Sequence, residues 1–307
     1  MFNGISLPGK RSIRDKFAVR QFVGPELYRD TLDHVRVVHL TDMHVGRVTP
    51  MEAQFAAVDI ANAAKPDFVA ITGDFVCHSQ KFLHELTAVI EKIDAPVFAV
   101  LGNHDYWSGA DEVRAALRKA NALVLDNMVT TITVRGQKLQ ILGLDDAYTG
   151  HADRARAVKN LDRSLPTLGL SHIAEEADAL WEHDVHLVLS GHTHAGQITI
   201  AKLHEIAIGK VAGHKYVHGL YGSRDRATPG GSVYVGAGVG AAVMPLRIGD
   251  RAKREVTVFE LGQRAFVDAE HHDEQPAFEG RKPTEELKAK RHEKVQQLQA
   301  KRDAKSK

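Results

Sequence analysis

Residues 35–44 read VRVVHLTDMH. The first six residues, Val35 to Leu40, form a short and nearly continuous apolar run, as expected for a strand covered on both faces. Directly behind it stand Asp42 and His44. The same arrangement recurs down the chain. DFVAIT (67–72) is followed by Gly73-Asp74, and PVFAVL (96–101) by Gly102-Asn103-His104-Asp105. PTLGL (166–170) leads to Ser171-His172, and VHLVLS (185–190) to Gly191-His192-Thr193-His194. In open α/β sheets, ligands sit beyond the carboxyl ends of the strands. Five strands therefore aim oxygen and imidazole donors at one place.

Helical patterns lie between these runs. Thr49-Pro50-Met51-Glu52 offers an N-cap, a proline at the first helical position and a capping-box glutamate, opening a helix to about Ala64. Others span about Gln80–Ile93, start near Ala110, and cover about Glu175–His183. MVTTITVRGQKLQILGL reads as a hairpin around Arg135-Gly136. After Gly196 the chain turns β-rich, in QITIA, GSVYVGAG and REVTVFEL. The expected fold is α/β: two packed mixed β-sheets flanked by helices, an αββα sandwich, with a dinuclear metal site at the strand C-terminal ends. The expected organisation is an N-terminal extension over 1–34, a catalytic domain over 35–270, and a charged tail, helical or disordered, over 271–307.

Composition sets the bounds. The chain has 307 residues, enough for a sizeable core, and its 40 basic residues nearly balance 39 acidic ones. That balance argues against wholesale nucleic-acid binding. One cysteine, Cys77, excludes an intrachain disulfide and suits a reducing compartment. No apolar run reaches the ~18 residues of a membrane span, and the basic N-terminus lacks a secretory apolar stretch. A cytoplasmic protein is expected. Residues 281–307 hold ten Lys/Arg against four Asp/Glu. This tail reads as a solubilising extension, with a nucleic-acid or membrane-surface role, the latter as peripheral membrane contact, as the functional alternative.

The donor types explain each other. Two divalent cations about 4 Å apart suit a bridging anionic ligand between them. Asp74 is the candidate bridge, and Asp42 adds a second negative charge. Imidazoles and one amide oxygen complete mixed shells that suit Mn, Fe or Zn better than an all-oxygen calcium site. A lone Asp-x-His or Gly-Asp is uninformative. The ordered set, each member directly behind an apolar strand, is specific.

This series resembles the calcineurin-like metallophosphoesterase superfamily over roughly residues 35–262. Gly143-Leu144-Asp145-Asp146, Gly196-Gln197-Ile198, Gly219-Leu220-Tyr221 and VYVGAGVGAAVMPLRIG further resemble a bacterial branch of membrane-associated phosphoesterases and UDP-diacylglucosamine pyrophosphatases. The resemblance implies one metal on Asp42, His44, Asp74 and His194, and a second on Asp74, Asn103, His172 and His192. It implies that His104 contacts the phosphoryl oxygen or leaving group, oriented by Asp105. Two departures stand out: Ile173-Ala174-Glu175-Glu176 replaces a short Asn/Pro/Asp-type turn after His172, and no N-terminal anchor is read.

The expected activity is hydrolysis of phosphate esters by a metal-bridging hydroxide, as a phosphodiesterase or pyrophosphohydrolase, with manganese favoured and a nucleotide- or lipid-linked substrate. The alternatives are a nuclease of the same superfamily and a non-catalytic scaffold. Of the remaining residues, Cys77 reads as a small buried apolar residue, and His78 as pocket-lining or surface. Asp145 and Asp146 read as site support or a turn. One of His214, His218 and Tyr221 is expected to reach the site.

Overall fold

The computed structural model describes residues 13–77, 79–196, 213–223, 230–241, 253–262 and 275–306. Its first sheet contains β1 (Phe17–Val23), β2 (Val35–Leu40), β3 (Phe68–Thr72), β4 (Val97–Val100), β5 (Leu123–Val124) and β12 (Arg254–Leu261), in the order β1-β12-β2-β3-β4-β5. The second contains β6 (Met128–Val134), β7 (Gln137–Leu144), β8 (Thr167–Ser171), β9 (Leu187–Ser190), β10 (Gly219–Gly222) and β11 (Ser232–Val235), in the order β10-β11-β9-β8-β7-β6. Both sheets are mixed. β2, β3 and β4 run parallel in one, and β7, β8 and β9 in the other.

The helices are α1 (Glu26–Thr31), α2 (Met51–Ala63), α3 (Leu83–Ile90), α4 (Asn103–Ser108), α5 (Ala110–Lys119), α6 (Arg154–Val158), α7 (Ala177–Trp181) and α8 (Glu285–Ser306). Alternation along each strand divides the core into three layers. Val37, Phe68, Ala70 and Phe98 face Leu139, Ile141, Leu168 and Leu189 between the sheets. Val38, Leu40, Val69 and Ile71 turn the other way, against α2, α3 and α5. Leu142, Leu144, Val188 and Val233 pack on α6 and α7. Strands with both faces covered need apolar residues at every position, which is why their sequences read as continuous runs. The molecule is the αββα sandwich that the strand pattern implies.

The hairpin turns at Arg135 and Gly136, whose φ angles of 49° and 82° are those of a tight primed turn. One local reading needs correction. Thr49 does not cap α2; the helix begins at Met51 behind Pro50, and the Thr49 hydroxyl accepts instead from the Ala241 amide at 3.0 Å. Within the segment before Val35, Phe17–Val23 forms a strand of the first sheet. β1 pairs parallel with β12 at the sheet edge, with Val19 57% exposed, so one-sided burial removes the apolar run that would have announced a strand. In the charged tail, Glu285–Ser306 is helical. QITIA, the MPLRIG segment and His78 lie outside the described residues. No helix among the described residues is long and apolar enough to cross a membrane.

Candidate metal centre

The loops behind β2, β3, β4, β8 and β9 meet at one end of the sandwich. They bring six of the seven residues expected to bind metal into close groups, with the seventh, Asn103, buried at the start of α4. Asp42, His44, Asp74 and His194 offer ligand atoms all within 4.8 Å of one another, and so do Asp74, His172 and His192. Asp74 belongs to both groups. Its Oδ2 lies 3.5 Å from His44 Nε2 and 3.4 Å from His172 Nε2, while its Oδ1 accepts from the His104 amide at 2.8 Å.

Backbone geometry shows how these side chains are aimed. Asp42, His44, Asp74, His192 and His194 have φ angles of 48°, 44°, 55°, 75° and 53°. They are five of the eleven non-glycine residues with positive φ among those described. Left-handed backbone is disfavoured for side chains with a Cβ, and persists where surrounding contacts over-determine it. Those contacts are present. The His44 amide donates to Asp74 O at 2.9 Å, and the Asp42 amide to Gly73 O at 3.1 Å. The His192 amide donates to Asp42 Oδ2 at 3.0 Å, stitching the loop behind β9 to the loop behind β2. Gly191 permits that approach: a Cβ there would collide with the Thr41 hydroxyl and the Asp42 carboxylate.

The electrostatics suit a cation. Burial raises the Asp42 carboxyl, against the pull of His172 and with the push of Asp74, to about 7. Burial also works to lower His172, but Asp74, Asp42 and Asp146 outweigh it and raise the imidazole to about 10. Burial and the neighbouring His172 and His214 hold His192 well below its ordinary value, so it is neutral with a lone pair to offer. His172 Nδ1 meets Thr72 O at 2.7 Å, which fixes the proton there and leaves Nε2 to face Asp74. The side-chain oxygen of Asn103 is buried with no hydrogen-bond donor. A buried amide oxygen without a donor is costly, and a metal ion would satisfy it. Two carboxylates, four imidazoles and this amide oxygen therefore fit a pair of divalent cations. Asp42, His44, Asp74 and His194 would hold one, and Asp74, Asn103, His172 and His192 the other.

His104 sits beside this set. Its ring packs edge-on to His44 at 4.7 Å and against Trp107 at 4.8 Å, with Nε2 4.0 Å from Asp74 Oδ2. Asp105 works through the backbone. Its Oδ1 accepts from the Phe75 and Val76 amides at 2.8 and 3.3 Å, and its Oδ2 from Gly102 at 2.9 Å. It thus clips the loop behind β3 to the start of α4, and holds Asp74 and Asn103 in register.

Other expected residues fall into place around the centre. Cys77 is half-buried rather than fully buried, and its sulfur belongs to a third close group with His44 and His104. Asp145 accepts from the Tyr106 hydroxyl at 2.5 Å and from Arg114 at 3.1 Å. Asp146 accepts from Tyr148 N and Thr149 N, shaping the turn that carries Tyr148. His214 reaches the site, 5.2 Å ring to ring from His192. His218 is instead buried against Glu255, and the Tyr221 hydroxyl accepts from Val217 and His218 amides. Glu175, in the altered turn after His172, accepts from His214 Nδ1 at 3.1 Å and so sets that histidine's place. Sequence reasoning missed two residues of the mouth. Tyr148 lies 5.2 Å from the His192 ring, and Trp107 touches His104. Trp107 carried a usable signal, since it stands one turn beyond Asn103 on the same short helix.

Residues 35–196 match the family described as calcineurin-like phosphoesterase. The chain is 30% identical over 235 residues to the metallophosphoesterase YkuE of Bacillus subtilis, covering 75% of this chain and 79% of the relative. It is 32% identical over 230 residues to a metallophosphoesterase of Helicobacter pylori, covering 72% of this chain and 59% of that protein. It is 28% identical over 242 residues to the phosphodiesterase YaeI of Escherichia coli, covering 76% and 84%.

Proposed function

The chain belongs to the calcineurin-like phosphoesterase family and is a metal-dependent phosphoester hydrolase; within that class we propose a dinuclear phosphodiesterase or pyrophosphohydrolase that favours manganese. The observation that carries this reading is the position of Asp74, whose carboxylate is common to both donor groups. A shared carboxylate is the ligand a closely spaced pair of cations requires. Manganese is favoured because Asp42, Asp74 and Asn103 bring oxygen donors beside the imidazoles. A diester is supported by the relative YaeI, which is named a phosphodiesterase. The single cysteine supports a cytoplasmic site of action.

When bound, the metal pair supplies acidified water and charge neutralisation at the phosphoryl oxygens. The protein's own residues do the rest. His104, 12% exposed, would hydrogen-bond a non-bridging oxygen and return a proton to the leaving alkoxide. Asp105 keeps Asp74, Asn103 and His104 at fixed separations. Tyr148 and Trp107 wall the mouth beside His192 and His104. A scaffold without catalysis need not retain seven suitable donors; this chain retains all of them.

The discriminating test compares bis-p-nitrophenyl phosphate with p-nitrophenyl phosphate on the manganese-loaded protein. The proposal expects kcat/KM on the diester to exceed that on the monoester by at least about tenfold, about 1.4 kcal/mol of transition-state preference. The reverse preference would make the chain a phosphomonoesterase.

A further inference from the structure

The basic helix α8 lies outside the catalytic set, yet it reaches the mouth. The Arg291 guanidinium carbon stands 3.6 Å from the centroid of the Tyr148 ring, and Lys294 Nζ stands 4.3 Å from that of Trp107. Those two rings are the walls already described, one against His192 and the other against His104. Arg291 is thus one aromatic side chain away from His192, and Lys294 one aromatic side chain away from His104. The helix is held there by several contacts. Val295 packs on the core, the Thr149 carbonyl lies 3.1 Å from His292 Nδ1, and Arg302 donates to Trp107 O at 2.8 Å.

Charge on α8 is not spread evenly. Lys288 and Lys290 pair with Glu285 and Glu286 one turn earlier on the same helix. Arg291 and Lys294 form no ion pair among the described residues, and Arg291 Nε is shielded from solvent without an acceptor. A guanidinium lying face-down on a ring keeps its N–H donors in its own plane, directed away from the ring. That is the orientation in which arginine takes an oxyanion with two parallel hydrogen bonds. A buried N–H without an acceptor gains from such a partner.

We propose that Arg291 and Lys294, seated on Tyr148 and Trp107, form a second anion subsite that binds a phosphate or carboxylate of the substrate other than the phosphate being hydrolysed. This inference rests on the phosphodiesterase reading and narrows it to substrates with a second anionic group. The two cations determine specificity. They act by binding and do not touch the reacting atoms.

The test uses the full chain loaded with manganese and two chromogenic esters that differ by one phosphate. These are thymidine 5′-(p-nitrophenyl phosphate) and the same ester bearing a 3′-phosphate. Wild type is expected to prefer the bisphosphate at least tenfold in kcat/KM. R291A/K294A is expected to lose that preference through a rise in KM for the bisphosphate, with both parameters unchanged on the other ester. The charge-retaining R291K/K294R is expected to restore the preference, which a merely structural role of the helix would not predict. Calorimetric titration of each protein with thymidine 3′,5′-bisphosphate and with thymidine 5′-monophosphate reads the same contrast without turnover. Equal handling of the two nucleotides by wild type, or equal losses on both in R291A/K294A, overturns the subsite and leaves the phosphodiesterase reading intact. Tighter, Arg291-dependent binding of the bisphosphate with no hydrolysis of either ester keeps the subsite and overturns that reading.

Discussion

His44 and His194 present their Nε2 atoms to each other at 3.0 Å, although the two residues are 150 positions apart in the chain. Both backbones are left-handed at these positions, and both rings lie beside the Asp42 and Asp74 carboxylates. Two imidazole lone pairs at that distance repel unless a proton or a metal ion lies between them. Divalent metal should therefore stabilise the fold by mass action, by about 2.7 kcal/mol at a hundredfold excess over Kd. Thermal melts in manganese and in chelator should show a higher Tm with metal, and H44A/H194A should abolish most of the difference. An identical Tm in both buffers for the parent protein would contradict this account of the pair.

His104 and Asp74 should separate cleanly on mutation. His104→Ala removes a group at the mouth and should leave metal content intact while lowering kcat by about 10²-fold or more, as for loss of a single positioned donor or acid. Loss of metal together with activity would show that His104 is a ligand.

Asp105→Asn exchanges one acceptor oxygen for a donor that must face a backbone N–H. The structure predicts a cost of about 1–3 kcal/mol from a buried group left unsatisfied. It should be accompanied by weaker metal binding, because the clip also fixes Asp74 and Asn103. Circular-dichroism melts alongside metal analysis check both. A variant with wild-type Tm and full metal content would remove Asp105 from the positioning scheme.

Much of this was legible before any coordinates. Strands covered on both faces must be apolar throughout, so β2, β3, β4, β8 and β9 announce themselves, and their polar successors include the candidate donors. What escaped detection was non-local or one-sided. β1 finds its partner β12 at the far end of the chain, and as an edge strand it shows no apolar run. Thr49 looked like a cap because local pattern cannot reveal that the Ala241 amide would claim its hydroxyl. Tyr148 and α8 meet only in three dimensions, and nothing in the tail's spacing indicates that Arg291 faces an aromatic ring.

Glu255 gives the fold an acid-sensitive element away from the metals. Burial pushes its carboxyl up, but His218 at 2.9 Å, Arg20 at 3.4 Å and the Tyr234 hydroxyl at 2.7 Å outweigh burial and hold it at about 2. The unfolded chain titrates near the ordinary 4.5 and so binds more protons than the native state between these values. The stabilisation is fully present above 4.5 and is lost as pH falls through about 2. In chelator, Glu255→Gln should lower Tm at neutral pH and flatten its decline between pH 4.5 and 2 relative to wild type. An unchanged slope would place the acid sensitivity elsewhere.

The central claim is that Asp74 joins two metal ions in a hydrolytic centre. Its most direct test is hydrolysis of bis-p-nitrophenyl phosphate by metal-stripped protein, with and without added Mn²⁺, beside Asp74→Asn. The account predicts no turnover without metal, turnover restored by Mn²⁺ at about two ions per chain, and loss of both bound metal and nearly all turnover in the variant. Equal turnover with and without metal, or an Asp74→Asn protein that keeps both, would contradict it.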